Sequence, residues 1–299
     1  MVEGVAVETG GDDTHDHAGR NQATVSNVPT ITLNNGVEIP QVGFGVFKVP
    51  AEETRQAVTT ALQSGYRHID TAAIYRNEEG VGQAIAESGI AREDLFITTK
   101  LWNDDQGYDS AFAAFDASLA KLGLDYVDLY LIHWPVPSKD LFVDAWKALE
   151  KLLADGRTRA IGVSNFRVQD LEKLIAETEI VPAINQIELH PQFPQEELRA
   201  FHQEHGIATE AWGPLGQGSL IDNPVIAAVA EKYGKSTAQV IIRWHVQIGN
   251  VVIPKSVTPA RIAANLDVFD FALTDEDIAQ IATVATNVRI GGDPSTVGA

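Results

Sequence analysis

A chain of 299 residues with 44% apolar side chains is long enough for one large core, and no apolar run in it approaches the roughly 18 residues that would cross a bilayer. Its formal net charge of −19 repels nucleic-acid phosphate and anionic lipid, so no nucleic acid or membrane partner is expected and any anionic ligand must be met by a local cationic cluster. The absence of cysteine excludes disulfides, thiol catalysis and Cys-zinc sites, and an amino end that is acidic and polar, without an apolar segment, points to a cytoplasmic protein.

Residues 1–27 are rich in Gly, Asp, Thr and His without periodicity and read as a disordered extension. His15 and His17 have the chemistry of metal ligands, but a flexible polar tail with no metal is the stronger reading. Residues 28–299 are expected to form a single domain. "ITLNNGVEI" holds two short alternating runs around Asn35-Gly36, a hairpin signal. Strand-like segments then alternate with helical ones: "QVGFGVF", "YRHID", "LFITTK", "VDLYLIHW", "RAIGVSNF", "AINQIELH", "ATEAWGPL" and "VVIPKS". Helical patterns between them stop at glycine, as at Gly65, Gly89, Gly123, Gly156 and Gly206.

This alternation predicts a (β/α)8 TIM barrel, with the hairpin closing its bottom. The helical stretches "STAQVIIRWHVQIG" and "TDEDIAQIATVA" then count as additions outside the eight units. A doubly wound sheet is the alternative, but it wants a glycine-rich first turn, and "GFGVFK" lacks a third glycine and a following helix. "YGKST" resembles the end of a P-loop, yet its first glycine falls at Val229 and it lies between two helices.

A barrel gathers chemistry at the C-terminal ends of its strands. Asp70 ends the second strand, Lys100 the third and His133 the fourth, and Tyr75 lies just past the second. A phenol titrates near pH 10, too high for easy proton exchange, and a neighbouring ammonium favours the phenolate. Lys100 is placed to supply that charge, Asp70 to hold Lys100, and His133 to donate to an oxygen beside Tyr75. Such a set suits protonation of a developing alkoxide, which is carbonyl reduction. Singly, each residue has an ordinary structural reading: Asp70 as a helix cap, Asp70–Lys100 as a structural pair. Lys100 could instead form a Schiff base. His133 with Asp70 lacks a second suitably placed histidine for a metal.

Reduction needs a hydride donor. "IPKSVTPARIAAN" gathers Lys255, Ser256 and Thr258 at a helix start, with Arg261 and Asn265 further along, a fit site for phosphate. Ser164, Asn165 and Gln186 can hydrogen-bond a carboxamide, Trp212 can stack on a flat ring, and "GPLGQGSL" offers backbone amides.

Together "VGFGVFKV", "GYRHIDTAAIYRNEEGVGQAI", "TTKLW", "LIHWP", "GVSNF", "NQIELHP" and "IPKSVTPARIAAN" resemble the aldo-keto reductase superfamily, most nearly the bacterial branch that includes 2,5-diketogluconate reductases. The resemblance implies NADPH-dependent reduction of aldehydes, ketones or α-dicarbonyls by a monomer. Tyr75 would be the general acid, Lys100 would lower its pKa, Asp70 would pair with Lys100, and His133 would orient the carbonyl. Ser164, Asn165 and Gln186 would hold the carboxamide and Trp212 would stack on the nicotinamide. Gly213, Leu215, Gly216, Gln217 and Ser219 would neighbour the pyrophosphate. Lys255, Ser256, Val257, Arg261 and Asn265 would surround the 2′-phosphate. Phe47, Trp102, His133 and Trp134, with the segment from Arg289 to Pro294, would line the substrate pocket. The tail "IGGDPSTVGA" is short and lacks aromatic residues, which implies an open pocket. A non-catalytic NADPH-binding barrel, acting as a sensor or regulatory subunit, is the alternative; four intact catalytic residue types and an acidic surface argue against it.

Overall fold

The computed structural model describes residues 28–298; the extension expected to be disordered, residues 1–27 with His15 and His17, lies outside them. Two antiparallel strands, β1 (Thr30–Thr32) and β2 (Glu38–Pro40), open the fold. Eight parallel strands follow: β3 (Phe44–Gly45), β4 (His68–Asp70), β5 (Phe96–Leu101), β6 (Val127–Ile132), β7 (Thr158–Ser164), β8 (Ile184–Glu188), β9 (Ala208–Trp212) and β10 (Val251–Val252). They pair in chain order. A parallel bridge between Val42 and Val252, with Gly43 N donating to Val252 O and Val252 N to Gln41 O, joins the last strand to the first. The sheet therefore closes into the expected (β/α)8 barrel.

Around it run α1 (Ala51–Gln63), α2 (Glu78–Glu87), α3 (Tyr108–Leu122), α4 (Phe142–Ala154), α5 (Val168–Glu177), α6 (Glu196–Glu204), α7 (Pro224–Tyr233), α8 (Thr237–Gln247), α9 (Pro259–Leu266) and α10 (Asp275–Ala282). α4 shows why they sit there. Its residues Phe142, Ala145, Trp146, Leu149 and Leu152 recur at helical spacing and are all buried on the strands. Burying each large apolar side chain is worth about 1.5–3 kcal/mol. The five glycines read as helix stops all follow helices in positive φ. No helix among the described residues is long and apolar enough to cross a membrane.

The helical additions differ from expectation in one respect. "STAQVIIRWHVQIG" forms α8, which packs on β10 and α9 and is the crossover from the seventh barrel strand to the eighth, inside the count. The additions are α7 before it and α10 after. These two pack together, with Asp277 accepting from Lys232 Nζ at 3.0 Å and from the Tyr233 hydroxyl. Two amphipathic helices in succession carry the same pattern, so periodicity cannot say which of them lies on the sheet.

Alternate strand residues face the barrel interior, and each column starts with an apolar residue and carries a polar one above it. β5 presents Phe96, Thr98 and Lys100; β8 presents Ile184, Gln186 and Glu188; β9 presents Ala208, Glu210 and Trp212. Below, Phe96, Leu129, Leu131, Ile184 and Val251 pack with Leu33 and Ile39 of the hairpin. Asn34 Nδ2 donates to Pro182 O at 3.0 Å and Asn35 Nδ2 to Arg159 O at 2.9 Å, tying the hairpin tip to chain just before β8 and at the start of β7. The hairpin therefore closes the bottom of the barrel.

Candidate active site

Asp70 ends β4, and Lys100 lies one strand over on β5. Lys100 Nζ donates to Asp70 Oδ1 at 2.5 Å and to Thr71 O at 2.8 Å. From across the barrel, Gln186 Nε2 donates to Asp70 Oδ2 at 2.8 Å. Lys100 has no solvent exposure. Burial pushes its ammonium pKa down, but the charges of Asp70 and Tyr75 and the bond to Asp70 outweigh this and hold it above the ordinary lysine value.

Tyr75 ends a one-turn 3₁₀ helix, Ala73–Tyr75, that stops at Arg76 in the left-handed region. Asn77 fixes the loop from beneath. Its Nδ2 donates to Val46 O and Val49 O at 3.0 and 3.2 Å, and its Oδ1 accepts from Thr71 Oγ1 at 2.8 Å. Lys100 Nζ lies 5.1 Å from the centre of the Tyr75 ring. Burial raises the phenol's pKa; Lys100 pulls it down only in part, and the net shift is upward. The expected lowering is thus a real contribution that burial outweighs.

His133, directly after β6, meets Tyr75 edge-on with ring centres 5.7 Å apart and Trp102 edge-on at 5.3 Å. Burial first, then the charge of Lys100, hold the imidazole well below its ordinary pKa, so the ring is neutral. Its buried Nδ1 has no partner among the described residues. Asp70, Tyr75, Lys100 and His133 are therefore together on one rim.

The residues expected to hold a carboxamide form a linked patch. Ser164 Oγ donates to Gln186 O at 2.7 Å. Asn165, in the left-handed region, donates to His133 O at 3.0 Å and to Ser164 Oγ at 3.1 Å, and accepts from Trp212 Nε1 at 2.8 Å. Asn165 thereby fixes both the Trp212 ring and the backbone of His133, and Gln186 orients Asp70. After β9 the chain runs through Gly213, Gly216 and Gln217, all in positive φ, past Leu215 to Ser219, whose hydroxyl donates to Gln192 Oε1 at 3.0 Å. After β10, Lys255, Val257 and Arg261 are exposed, Ser256 Oγ accepts from Thr258 N at 3.1 Å, and Asn265 is buried one turn below. Neither Lys255 nor Arg261 forms an ion pair among the described residues, so both cations are free at the start of α9.

Phe47, half-exposed, lies 5.2 Å from Tyr75, and the Trp134 ring is parallel to His133 at 6.4 Å. The short tail folds back against residues expected around the site. A Cβ on Gly291 would stand 2.3 Å from the Trp212 ring, one on Gly292 3.4 Å from Trp134, and one on Gly298 2.8 Å from Asn103 Nδ2. The wall is short and made largely of backbone.

Three buried residues escaped notice in the sequence. Glu210 on β9 has both oxygens without a hydrogen-bond partner among the described residues, 3.7 Å from His68 Nε2. Glu188, at the end of β8, binds the tail. The signal for both glutamates was their two-residue spacing from Trp212 and Gln186, which puts an acid on the inward face of a strand.

The aldo/keto reductase family model matches residues 41–286, most of the barrel, and the chain belongs to that family. An aldo-keto reductase of Mycolicibacterium smegmatis is 63% identical over 268 residues, covering 90% of this chain and 98% of that protein. The glyoxal reductase of Bacillus subtilis is 55% identical over 266 residues, covering 89% and 96%. The crystal structure of a Gox0644 mutant in complex with NADPH superposes with a TM-score of 0.87 at 47% identity, covering 90% of this chain and 98% of that one.

Proposed function

We propose that the protein is an NADPH-dependent reductase of aldehydes, ketones and α-dicarbonyls, in the bacterial branch that includes 2,5-diketogluconate reductases, and that it acts as a monomer. The observation that carries this reading is the buried Lys100 ammonium, fixed by Asp70 and Thr71 beside the Tyr75 ring, with neutral His133 edge-on to the same phenol. Similarity to a glyoxal reductase supports small dicarbonyls as the substrate class.

The residues present fit a dinucleotide phosphate. Lys255 and Arg261 are cations without an ion-pair partner among the described residues, in a chain of net charge −19, set at a helix start where backbone N–H groups face outward. Trp212 offers a fixed ring face beside Ser164 and Asn165, and Gly213 to Ser219 supply a loop of turned backbone. Bound there, NADPH would supply the hydride gained by the carbonyl carbon.

Tyr75 gives its phenolic proton to the carbonyl oxygen as negative charge develops there. With its pKa raised at rest, the phenol starts protonated, as a general acid must. Lys100 stabilises the phenolate left behind, and Asp70 keeps that ammonium in place. His133, being neutral, offers an N–H to the same oxygen and orients the carbonyl. Phe47, Trp102 and Trp134 hold the substrate and keep water away. A Schiff-base role for Lys100 would need a free amine, whereas its neighbours favour the charged form.

Tyr75→Phe tests this directly. Turnover, followed as NADPH consumption, should fall by about 10²- to 10⁴-fold while NADPH binding is kept. Retained turnover would remove the acid assignment. Tight NADPH binding by the unaltered protein with no carbonyl reduced would point instead to the non-catalytic barrel.

A further inference from the structure

Glu188 closes β8 two residues beyond Gln186, and its carboxylate is the meeting point of the barrel and the tail. The side chain is 1% exposed. Oε1 accepts from Ile290 N at 2.6 Å and faces His190 Nε2 at 3.0 Å; Oε2 accepts from Gly291 N at 2.9 Å and lies 3.6 Å from Arg289 Nη1. Burial pushes the carboxyl's pKa up, but the bonds from His190, Ile290 and Gly291 win and hold it below the usual range, so it is charged at neutral pH. Just upstream, Thr286 N and Asn287 N donate to Gln192 O at 3.0 and 2.9 Å. The contact this enforces is that of Gly291 against Trp212, where even a methyl group would collide.

Resting on the reductase reading above, we propose that Glu188 is a positioning residue for substrate specificity: its carboxylate clasps the tail at Ile290 and Gly291 and so sets how far the carbonyl site opens beside Trp212. A wall of bare backbone held at fixed distance suits slim, short-chain carbonyl compounds. Loosening the clasp widens the site at the expense of those substrates and to the benefit of bulkier ones. No side-chain hydrogen bond or ion pair among the described residues joins Glu188 to the four catalytic residues or to the Lys255–Arg261 segment, so its effect passes through the tail, to Trp134 in the carbonyl pocket and to Trp212 on the nicotinamide side.

The test is a double-substitution cycle in the full-length chain with NADPH, comparing a three-carbon α-dicarbonyl with an aryl aldehyde. Glu188→Ala should raise KM for the dicarbonyl by roughly 3- to 30-fold with little change in kcat, and shift kcat/KM towards the aryl aldehyde. Glu188→Gln, which keeps one acceptor, should show a smaller shift. Gly291→Ala, which pushes the tail from Trp212, should reproduce the phenotype, and the two changes combined should exceed neither by much, because both act through the tail. Losses that multiply, or an equal fall in kcat for both substrates, would overturn the proposal. Hydrogen exchange at the Ile290 and Gly291 amides gives a reading independent of turnover. Those amides should lose protection in Glu188→Ala, and unchanged protection would also overturn the clasp. If the unaltered protein reduced no carbonyl while that protection was still lost, the reductase reading would fail and the clasp would stand.

Discussion

Burying charge is expensive unless it is paired, and among the described residues the barrel interior holds more acid than Lys100, its one lysine, can balance. Lys100 is committed to Asp70, yet Glu210 and His68 lie in the same enclosure with no exposure. Gly43 leaves room for the imidazole, since a Cβ there would fall 2.4 Å from His68 Nδ1. Burial and then the charge of Asp70 push the Glu210 carboxyl up to about 8, so near neutrality it is largely protonated. Burial also pushes His68 down to about 4, so it is uncharged. The folded pKa of Glu210 is above the free value of 4.5, so its contribution to stability is complete below that value and is lost as pH rises through about 8. His68 works in the opposite sense, withdrawing stability as pH falls from 6.5 towards about 4. Glu210→Gln, which mimics the protonated acid, should therefore melt close to the unaltered protein near about pH 5 and above it near about pH 9, by up to a few kcal/mol. Thermal unfolding across that range checks this, and parallel curves for the two proteins would show Glu210 to be ionised throughout.

At the scale of elements, the helices are held at fixed separation by single small residues. Gly82 of α2 lies so close to α3 that a Cβ would stand 2.2 Å from the Leu122 carbonyl oxygen, which is backbone and cannot step aside. Gly82→Ala should force the two helices apart and destabilise the fold by about 1–3 kcal/mol, lowering the melting temperature by about 2–4 °C for each kcal/mol. At the start of α9, Arg261→Ala should weaken NADPH binding by roughly 10- to 100-fold and leave NADH nearly unaffected, since only NADPH carries the 2′-phosphate. Equal weakening of the two, measured by titration, would remove that role. Much of this was legible beforehand. Strand–helix alternation and the glycine stops located the barrel units, and Asp70, Lys100 and His133 were marked by lying at strand ends. The identity of the crossover helix was not legible, because α7 and α8 both carry apolar residues at helical spacing, and only packing shows that α8 buries the larger face. Neither was the path of the tail. Its contacts depend on Glu188, about a hundred residues earlier, and on glycines chosen for an absence of side chain that no periodicity reports.

The whole molecule carries an excess of 19 negative charges, and the barrel mouth must still attract a polyanion. Added salt should therefore act in two opposed ways. Screening relieves repulsion across the acidic surface and should raise the melting temperature, while it weakens the pull of Lys255 and Arg261 and should raise the KM for NADPH. A KM insensitive to ionic strength would show that these cations act only at contact. The hairpin and the tail together give the barrel a polarity with a practical side. The chain enters the described fold beneath the barrel, at Thr30 in the hairpin, and leaves it at Gly298 above, against Asn103 and Val136. A tether to a bead or a fusion partner joined on the hairpin side would hold the enzyme with its working face towards the liquid. The same tether on the other side would drag on the strap that crosses the entrance, so the choice of end decides whether an immobilised sample is an open vessel or a stoppered one.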